Sequence, residues 1–229
     1  MNEDTLLTAK KSAAKAALNF IEDGMIVGLG TGSTATIFID CLIEKCQKTG
    51  MNVRCVASSE KSLTQARLGN MIIEDPNLIE AIDITVDGAD EVNKKKQLIK
   101  GGGGALLREK IVADMSHEMI VIADFTKVVE VLGNFPLPIE IVPFAYQATL
   151  RKIRFLGFEG HMRLTKEGNL YLTDNGNYIV DLKPNKYEMP EIDQASLKNI
   201  TGVIETGFFL NQASRVIVGY PNGTVKTFN

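Results

Sequence analysis

The chain has 229 residues, 45% of them hydrophobic and 23% charged, with a net charge of −3 at pH 7 and a pI near 5.5. That is the composition of a globular protein with one sizeable core and room for a small second domain. It offers no basic footprint for nucleic acid, and no apolar run is long enough to cross a membrane as a helix.

In chain order, Met1-Asn2-Glu3-Asp4 lacks the basic-then-apolar pattern of a signal peptide. Leu6 to Ile21 carries apolar residues at helical spacing. Met25-Ile-Val-Gly-Leu-Gly30 reads as a short strand running into a glycine loop, and Thr34 to Lys45 as the next helix. Val53–Ala57 is a strand, followed by Ser-Ser-Glu-Lys-Ser and a helix through Leu68. Ile82–Val86 is a strand ending at Asp87, Ala105–Ser116 a helix and Met119–Ala123 a strand. This βαβ alternation predicts an α/β fold with a mostly parallel, Rossmann-like sheet and flanking helices. Ligands of such sheets bind beyond the carboxyl ends of the strands. The unusual segments Gly28–Thr34, Ser58–Ser62, Asp87–Glu91 and Asp124–Lys127 all follow strands.

Near Gly133 the pattern changes. Pro136, Pro138 and Pro143 punctuate a segment, and a helix follows near Tyr146–Leu156. Two strands are expected around the turn Asp174-Asn-Gly-Asn177, then a helix near Ile192–Asn199. This order suits a smaller α+β, ferredoxin-like domain. Arg215–Gly219 and Gly223–Phe228 are expected to return to the first sheet as a hairpin. The expected division is 1–131 with 208–229 for the α/β domain and 132–207 for the small one. Cys41, Cys46 and Cys55 are odd in number and match no metal spacing. They are expected to be reduced, buried thiols of a cytosolic protein.

Four segments carry chemistry. Gly28-Leu-Gly30-Thr-Gly32-Ser-Thr34 leads from a strand into a helix N-terminus, whose free amides and dipole favour an anion. Its third glycine is one position early for a dinucleotide fingerprint and no G-K-[ST] follows, so a monophosphate cradle fits better than either nucleotide loop. A tightly packed helix cap fits the same residues. Asp87 and Asp90 flank Gly88-Ala89 at a strand end, where neighbouring carboxylates raise each other's pKa and suit proton handling. A self-capped turn or a Mg²⁺ site is also open from the residues alone. Lys100 precedes Gly101-Gly-Gly-Gly104, a run that serves where backbone turns sharply or presses against a ligand. Glu109 follows on a helix. Beside a water-poor loop it suits a base near neutral pH, and an exposed helix-dipole partner is the alternative. Lys127 can clamp an anion or lie at the surface. Arg108 and Lys110 read as solvated or paired.

Together, Thr31-Gly-Ser-Thr34, Asp87-Gly-Ala-Asp90, Lys100-Gly-Gly-Gly103, Glu109 and Lys127 resemble the A-type ribose-5-phosphate isomerases. Gly133-Asn-Phe-Pro-Leu-Pro-Ile-Glu140, Thr173-Asp-Asn-Gly-Asn177, Thr201-Gly-Val203 and Gly207-Phe-Phe209 match the family pattern in order and spacing, so the resemblance covers nearly the whole chain. Gly104 and Leu107 depart from it, and neither carries the expected chemistry. The resemblance implies interconversion of ribose 5-phosphate and ribulose 5-phosphate through an enediolate, in the non-oxidative pentose phosphate pathway, without a metal or organic cofactor. It implies Glu109 as the base, with Asp87 and Asp90 handling hydroxyl protons and ring opening. Lys100 and the amides of Gly101, Gly102 and Gly103 would stabilise the oxyanion. Thr31, Gly32, Ser33 and Thr34 would hold the phosphate end, with Gly88, Ala89 and Lys127 lining the site. A cytoplasmic homodimer or homotetramer is implied, assembled partly through the small domain, with no nucleic-acid or membrane partner. Lys10 and the Ser58-Ser59-Glu60 loop receive no role.

Two other readings compete. A sugar-phosphate deaminase or lactonase would place a histidine in the site, and His117 and His161 lie outside every motif. A sugar-phosphate sensor would keep the cradle, lose the base and add a DNA-binding domain. Glu109 is present, and the N-terminal segment has no basic helix-turn-helix pattern.

Overall fold

The computed structural model describes residues 3–228. Met1 and Asn2, part of the segment read for a signal sequence, and Asn229 lie outside the described residues. The elements run, in chain order, α1 (Glu3–Ala17), β1 (Ile26–Leu29), α2 (Ser33–Thr49), β2 (Arg54–Ala57), α3 (Glu60–Leu68), β3 (Ile72–Ile73), β4 (Ile82–Gly88), β5 (Glu91–Val92) and β6 (Leu98–Ile99). There follow α4 (Leu106–Asp114), β7 (Ser116–Asp124), β8 (Leu137–Ile141), α5 (Tyr146–Phe155), β9 (Gly160–Met162), β10 (Tyr178–Leu182) and α6 (Pro190–Lys198). The last strands are β11 (Val203–Thr206), β12 (Phe208–Phe209), β13 (Arg215–Gly219) and β14 (Val225–Phe228). Short 3₁₀ turns cover Leu18–Phe20, Pro76–Leu78 and Phe125–Lys127.

The chain forms two compact units. Unit 1 is Met1–Ala89, Arg108–Val128 and Asn211–Asn229; unit 2 is Asp90–Leu107 and Val129–Leu210. The first 131 residues therefore do not stay together. Residues 90–107 group with unit 2 because β5 and β6 pair with each other and β6 pairs with β12.

Unit 1 is a seven-stranded sheet in the order β14-β13-β7-β4-β1-β2-β3. Every pair is parallel except β13 with β14, so the C-terminal hairpin does join the first sheet. Parallel strands covered on both faces read as continuous apolar runs. Val27, Leu29, Ile84, Val86, Ile120, Ile122 and Ile217 accordingly pack with Ala13, Ala14, Ala17, Phe38, Ile39 and Leu42 of the helices. A separate cluster joins Ile26, Val56 and Ile82 to Val112 of α4. Of the thiols, only Cys55 is buried; Cys41 and Cys46, both on α2, are half-exposed.

Unit 2 contains the run β8-α5-β9-β10-α6-β11 on an antiparallel sheet of order β11-β8-β10-β9. That is the ferredoxin-like arrangement. Leu137, Ile139, Ile141, Val180 and Leu182 meet Leu150, Ile153 and Leu197 of the two helices. Pro138 sits inside β8, against the usual confinement of proline to edges. The β11 ladder stops at Ile139, one residue short of it. The turn at 173–177 forms, with Thr173 N–H donating to Asn177 O at 2.9 Å. Only its far side continues as a strand. Leu170 makes a single bridge to Leu164, and Leu172 is 57% exposed. That arm has no buried face to specify a ladder, and β10 pairs with β9 instead.

Candidate functional site

In unit 1 the chain goes outward from β1 to β2 and β3, then returns to β4 on the other flank of β1. The loops leaving the carboxyl ends of β1 and β4 therefore diverge, and this switch point is where open α/β sheets take ligands. The β1 loop and the end of β4 are tied together there. Asp87 is fully buried, and its Oδ1 accepts from the Thr31 N–H at 3.0 Å and the Gly88 N–H at 2.7 Å. Gly30 N–H donates to Val86 O at 3.0 Å. A Cβ on Gly30 would lie 2.1 Å from Asp87 Oδ1, so only glycine lets that carboxylate reach the loop.

The loop feeds α2, whose first turn presents the amides of Ser33 and its neighbours. Thr34 is buried. Lys10, on α1, donates from Nζ to Ser33 Oγ at 3.0 Å, which puts a cation at this helix N-terminus. Sequence reasoning gave Lys10 no role. The available signal was its spacing, since Ala13, Ala14 and Ala17 at i+3, i+4 and i+7 are all buried. The Ser58-Ser59 segment after β2 also finds its purpose. Thr31 Oγ1 lies 2.9 Å from Ser58 Oγ and 2.8 Å from Ser59 Oγ. Ser58 donates in turn to Leu29 O at 2.9 Å, and Ser59 caps α3.

Lys127 closes the turn after β7, the strand next to β4, and is half-buried. Buried Asp124 caps that turn, accepting from the Thr126 N–H at 3.0 Å. Glu109 stands in the first turn of α4, which ends at Asp114, so Ser116 belongs to β7. The Glu109 side chain is only 3% exposed, which removes the reading of a solvated dipole partner. Arg108 beside it pairs with Glu60 at 2.9 Å.

In unit 2, Asp90 Oδ2 accepts from the Gly102 N–H at 2.7 Å. Gly101 and Gly104 take left-handed φ of +100° and +84°, as a sharp glycine turn requires. Lys100 is 2% exposed. Its N–H donates to Gly207 O at 2.8 Å, and its Nζ lies 5.4 Å from the centre of the Phe209 ring. Buried Glu91 accepts from Gly133 N–H and Phe135 N–H, both at 2.6 Å. Buried Glu140 accepts from Thr173 Oγ1 at 3.0 Å and Asn177 Nδ2 at 2.9 Å. Carboxylates thus tie the Gly133–Glu140 motif to β5 on one side and to the Thr173–Asn177 turn on the other.

Unit 1 gathers Thr31–Thr34, Asp87, Gly88 and Lys127 along the carboxyl edge of β1, β4 and β7, and also holds Ala89 and Glu109. Unit 2 gathers Asp90, Lys100 and Gly101–Gly103. Among the described residues no group of three or more His, Cys, Asp or Glu is arranged to hold a metal ion. His117 and His161 lie on β7 and β9, in none of these clusters.

Comparison with known proteins gives one result. Residues 54–223 match the family described as Ribose 5-phosphate isomerase A (phosphoriboisomerase A). The ribose-5-phosphate isomerase A of Protochlamydia amoebophila is 48% identical over 226 residues, covering 98% of this chain and 97% of the relative. A solved D-ribose-5-phosphate isomerase in complex with phospho-erythronic acid superposes with a TM-score of 0.93 at 39% identity, covering 99% of both chains. The ribose 5-phosphate isomerase A of Methanocaldococcus jannaschii gives 0.91 at 36% identity, again over 99% of both.

Proposed function

Because the chain belongs to the ribose 5-phosphate isomerase A family, it interconverts D-ribose 5-phosphate and D-ribulose 5-phosphate, and we propose that it does so through an enediolate with Glu109 as the base. The observation that carries this reading is the burial of Glu109 at the start of α4. A carboxylate shielded from water is a competent base toward a carbon acid. It would remove the C2 proton of the open-chain aldose and return it to C1. Charge then develops on the oxygens of both carbons. Lys100 and the amides of Gly101 and Gly103 would stabilise that charge, usually a large catalytic contribution, while the Gly102 N–H, which donates to Asp90, holds the loop. Asp87 and Asp90 would exchange the hydroxyl protons and assist ring opening. The amides and hydroxyls of Thr31–Thr34 would take the phosphate, together with the Lys10 cation that the geometry adds. Gly88, Ala89 and Lys127 would line the sugar.

This reading needs neither a metal nor an organic cofactor. It places the enzyme in the cytoplasm, in the non-oxidative pentose phosphate pathway, as a homodimer or homotetramer with the ferredoxin-like part contributing to assembly. The test is steady-state isomerisation. Glu109→Gln keeps the shape and removes the base, so kcat should fall at least ~10²-fold with KM little changed. Free ribose should be a very poor substrate, because phosphate binding energy orients the reacting carbons. Phospho-erythronic acid, whose carboxylate resembles the enediolate oxygens, should inhibit competitively. Near-normal turnover in Glu109→Gln removes Glu109 from the mechanism. Equal kcat/KM for ribose and ribose 5-phosphate removes the phosphate cradle.

A further inference from the structure

We infer that Arg163, anchored on Asp181, is a positioning residue that sets the direction of the glycine-loop amides. The inference rests on the reading that those amides stabilise the enediolate. Arg163 lies just beyond β9, and its backbone N–H is already held by Ile179 O at 2.8 Å. That backbone contact to β10 is made without the side chain. The guanidinium meets Asp181 as a fork, Nε to Oδ2 at 2.8 Å and Nη2 to Oδ1, with both side chains 14% exposed. The Tyr171 ring lies 5.8 Å from the guanidinium carbon. Arginine's planar fork, unlike lysine's single ammonium, can hold a carboxylate on one edge and still present Nη1 elsewhere.

Nη1 is spent on the loop. It donates to Gly101 O at 2.9 Å and to Gly102 O at 3.2 Å. A trans peptide is planar, with its C=O and N–H pointing opposite ways. The Gly101–Gly102 plane is thus gripped at both ends, by Arg163 on the oxygen and by Asp90 on the N–H at 2.7 Å. The next plane is gripped at its oxygen, which turns the Gly103 N–H away from the guanidinium. Glycines have no side chain to limit φ and ψ, so the loop's own preferences do not fix these directions. Arg163 supplies the restraint. Its charge on the two oxygens also polarises each plane and strengthens the opposite N–H as a donor.

The experiment compares Arg163→Met, Arg163→Lys and Asp181→Asn with wild type, reading kcat, KM, thermal midpoint, and affinity for phospho-erythronic acid and for inorganic phosphate. Losing a single oxyanion donor costs about 10²–10³-fold, and a misaimed donor should cost less. Arg163→Met should lower kcat and phospho-erythronic acid affinity together by roughly 10–10²-fold, with the inorganic phosphate affinity that reads the Thr31–Thr34 loop within about twofold. Arg163→Lys should recover only part of the loss, and Asp181→Asn should fall between. Wild-type kcat and phospho-erythronic acid affinity in Arg163→Met overturn the inference. So does an equal loss for both ligands with a lowered midpoint, which marks a merely structural residue. If Arg163→Met does not fold, Asp181→Asn decides by the same two criteria. A wild-type protein that neither binds phospho-erythronic acid nor isomerises ribose 5-phosphate overturns the isomerase reading itself. Binding and turnover in wild type with no effect of these variants overturns only the role of Arg163.

Discussion

Replacing Gly102 by alanine separates the geometry of the glycine loop from the stability of the fold. A Cβ built on Gly102 stands 2.7 Å from Asp90 Oδ1, 2.9 Å from Oδ2 and 3.0 Å from Cγ. Those distances are too short to persist, but the obstacle is the tip of a flexible, half-exposed side chain, and Asp90 can swing away at small steric cost. What it leaves behind is the 2.7 Å bond from Gly102 N–H to its carboxylate. A hydrogen bond to a charged group contributes about 1.5–3 kcal/mol, and partial exposure of Asp90 reduces this to about 1–2 kcal/mol. At 1.36 kcal/mol per tenfold, kcat/KM for ribose 5-phosphate should fall roughly 5–30-fold. The thermal midpoint should fall by no more than about 2–8 °C, at roughly 2–4 °C per kcal/mol for a chain of this size. Asp90→Asn keeps an acceptor oxygen but loses the charge and the proton the carboxyl handles, so it should give the larger loss of the two. Both changes strike one bond, and the double variant should therefore lose much less than the product of the two single losses. Gly102→Ala with kcat/KM within twofold of wild type, or fully multiplicative losses in the double variant, would refute the link between Asp90 and the loop.

Lys10→Met removes the cation beside Ser33. KM for ribose 5-phosphate should rise about tenfold, equivalent to 1.4 kcal/mol, with kcat changed much less, and inhibition by inorganic phosphate should weaken in parallel. Activity should survive EDTA, because among the described residues no group of three or more His, Cys, Asp or Glu is arranged to hold a metal ion. Loss of activity restored by a divalent cation would instead make Asp87 and Asp90 ligands. Burial pushes the Cys55 thiol from 9.0 up to about 12, so the folded chain keeps a proton that the unfolded chain releases first. The stabilisation is complete below pH 9 and is lost as pH rises from 9 through about 12. Urea midpoints across that window should fall more steeply in wild type than in Cys55→Val, and equal slopes would exclude the thiol as the cause.

Local signals carried most of the fold into the sequence. The run from Ile82 to Asp87 announces a buried strand and its polar end without any tertiary information, as does Met25–Gly30. The ferredoxin-like order of unit 2 was also visible, although Pro136 and Pro138 obscured β8. A proline reads as a strand breaker unless one knows where the neighbouring ladder ends. The arm before Asp174 failed for the opposite reason, since its Leu170 and Leu172 look like a strand while Leu172 stays exposed. Contacts distant in sequence were illegible. Lys10 meets Ser33 across 23 residues, and Arg163 meets Gly101 across 62. Neither residue type is unusual at its position, so only the folded chain shows what it touches. Buried Lys100 and Glu109 are intermediate cases, in which glycine-rich neighbours pointed to a site and burial removed the solvated alternative.

The acidic run at 87–91 shows how such a site is held. Three carboxylates within five residues invite a reading as a metal cluster or a proton-sharing pair. Each also accepts backbone N–H groups: Asp87 from Thr31 and Gly88, Asp90 from Gly102, and Glu91 from Gly133 and Phe135. Burying a carboxylate is costly unless donors satisfy it, and amides fixed in a loop supply that satisfaction with little further ordering. The exchange works in both directions, because a loop of Gly, Thr and Ser has many accessible conformations and needs charged anchors to select one. Asp87 does this for the Thr31 loop in unit 1, and Asp90 with Arg163 for the Gly101–Gly103 loop in unit 2. On this argument an Asp→Asn change in the run should disturb the aim of a neighbouring backbone amide as well as any proton the carboxyl handles. Its kinetic effect is then the product of two losses, which the corresponding glycine variants separate.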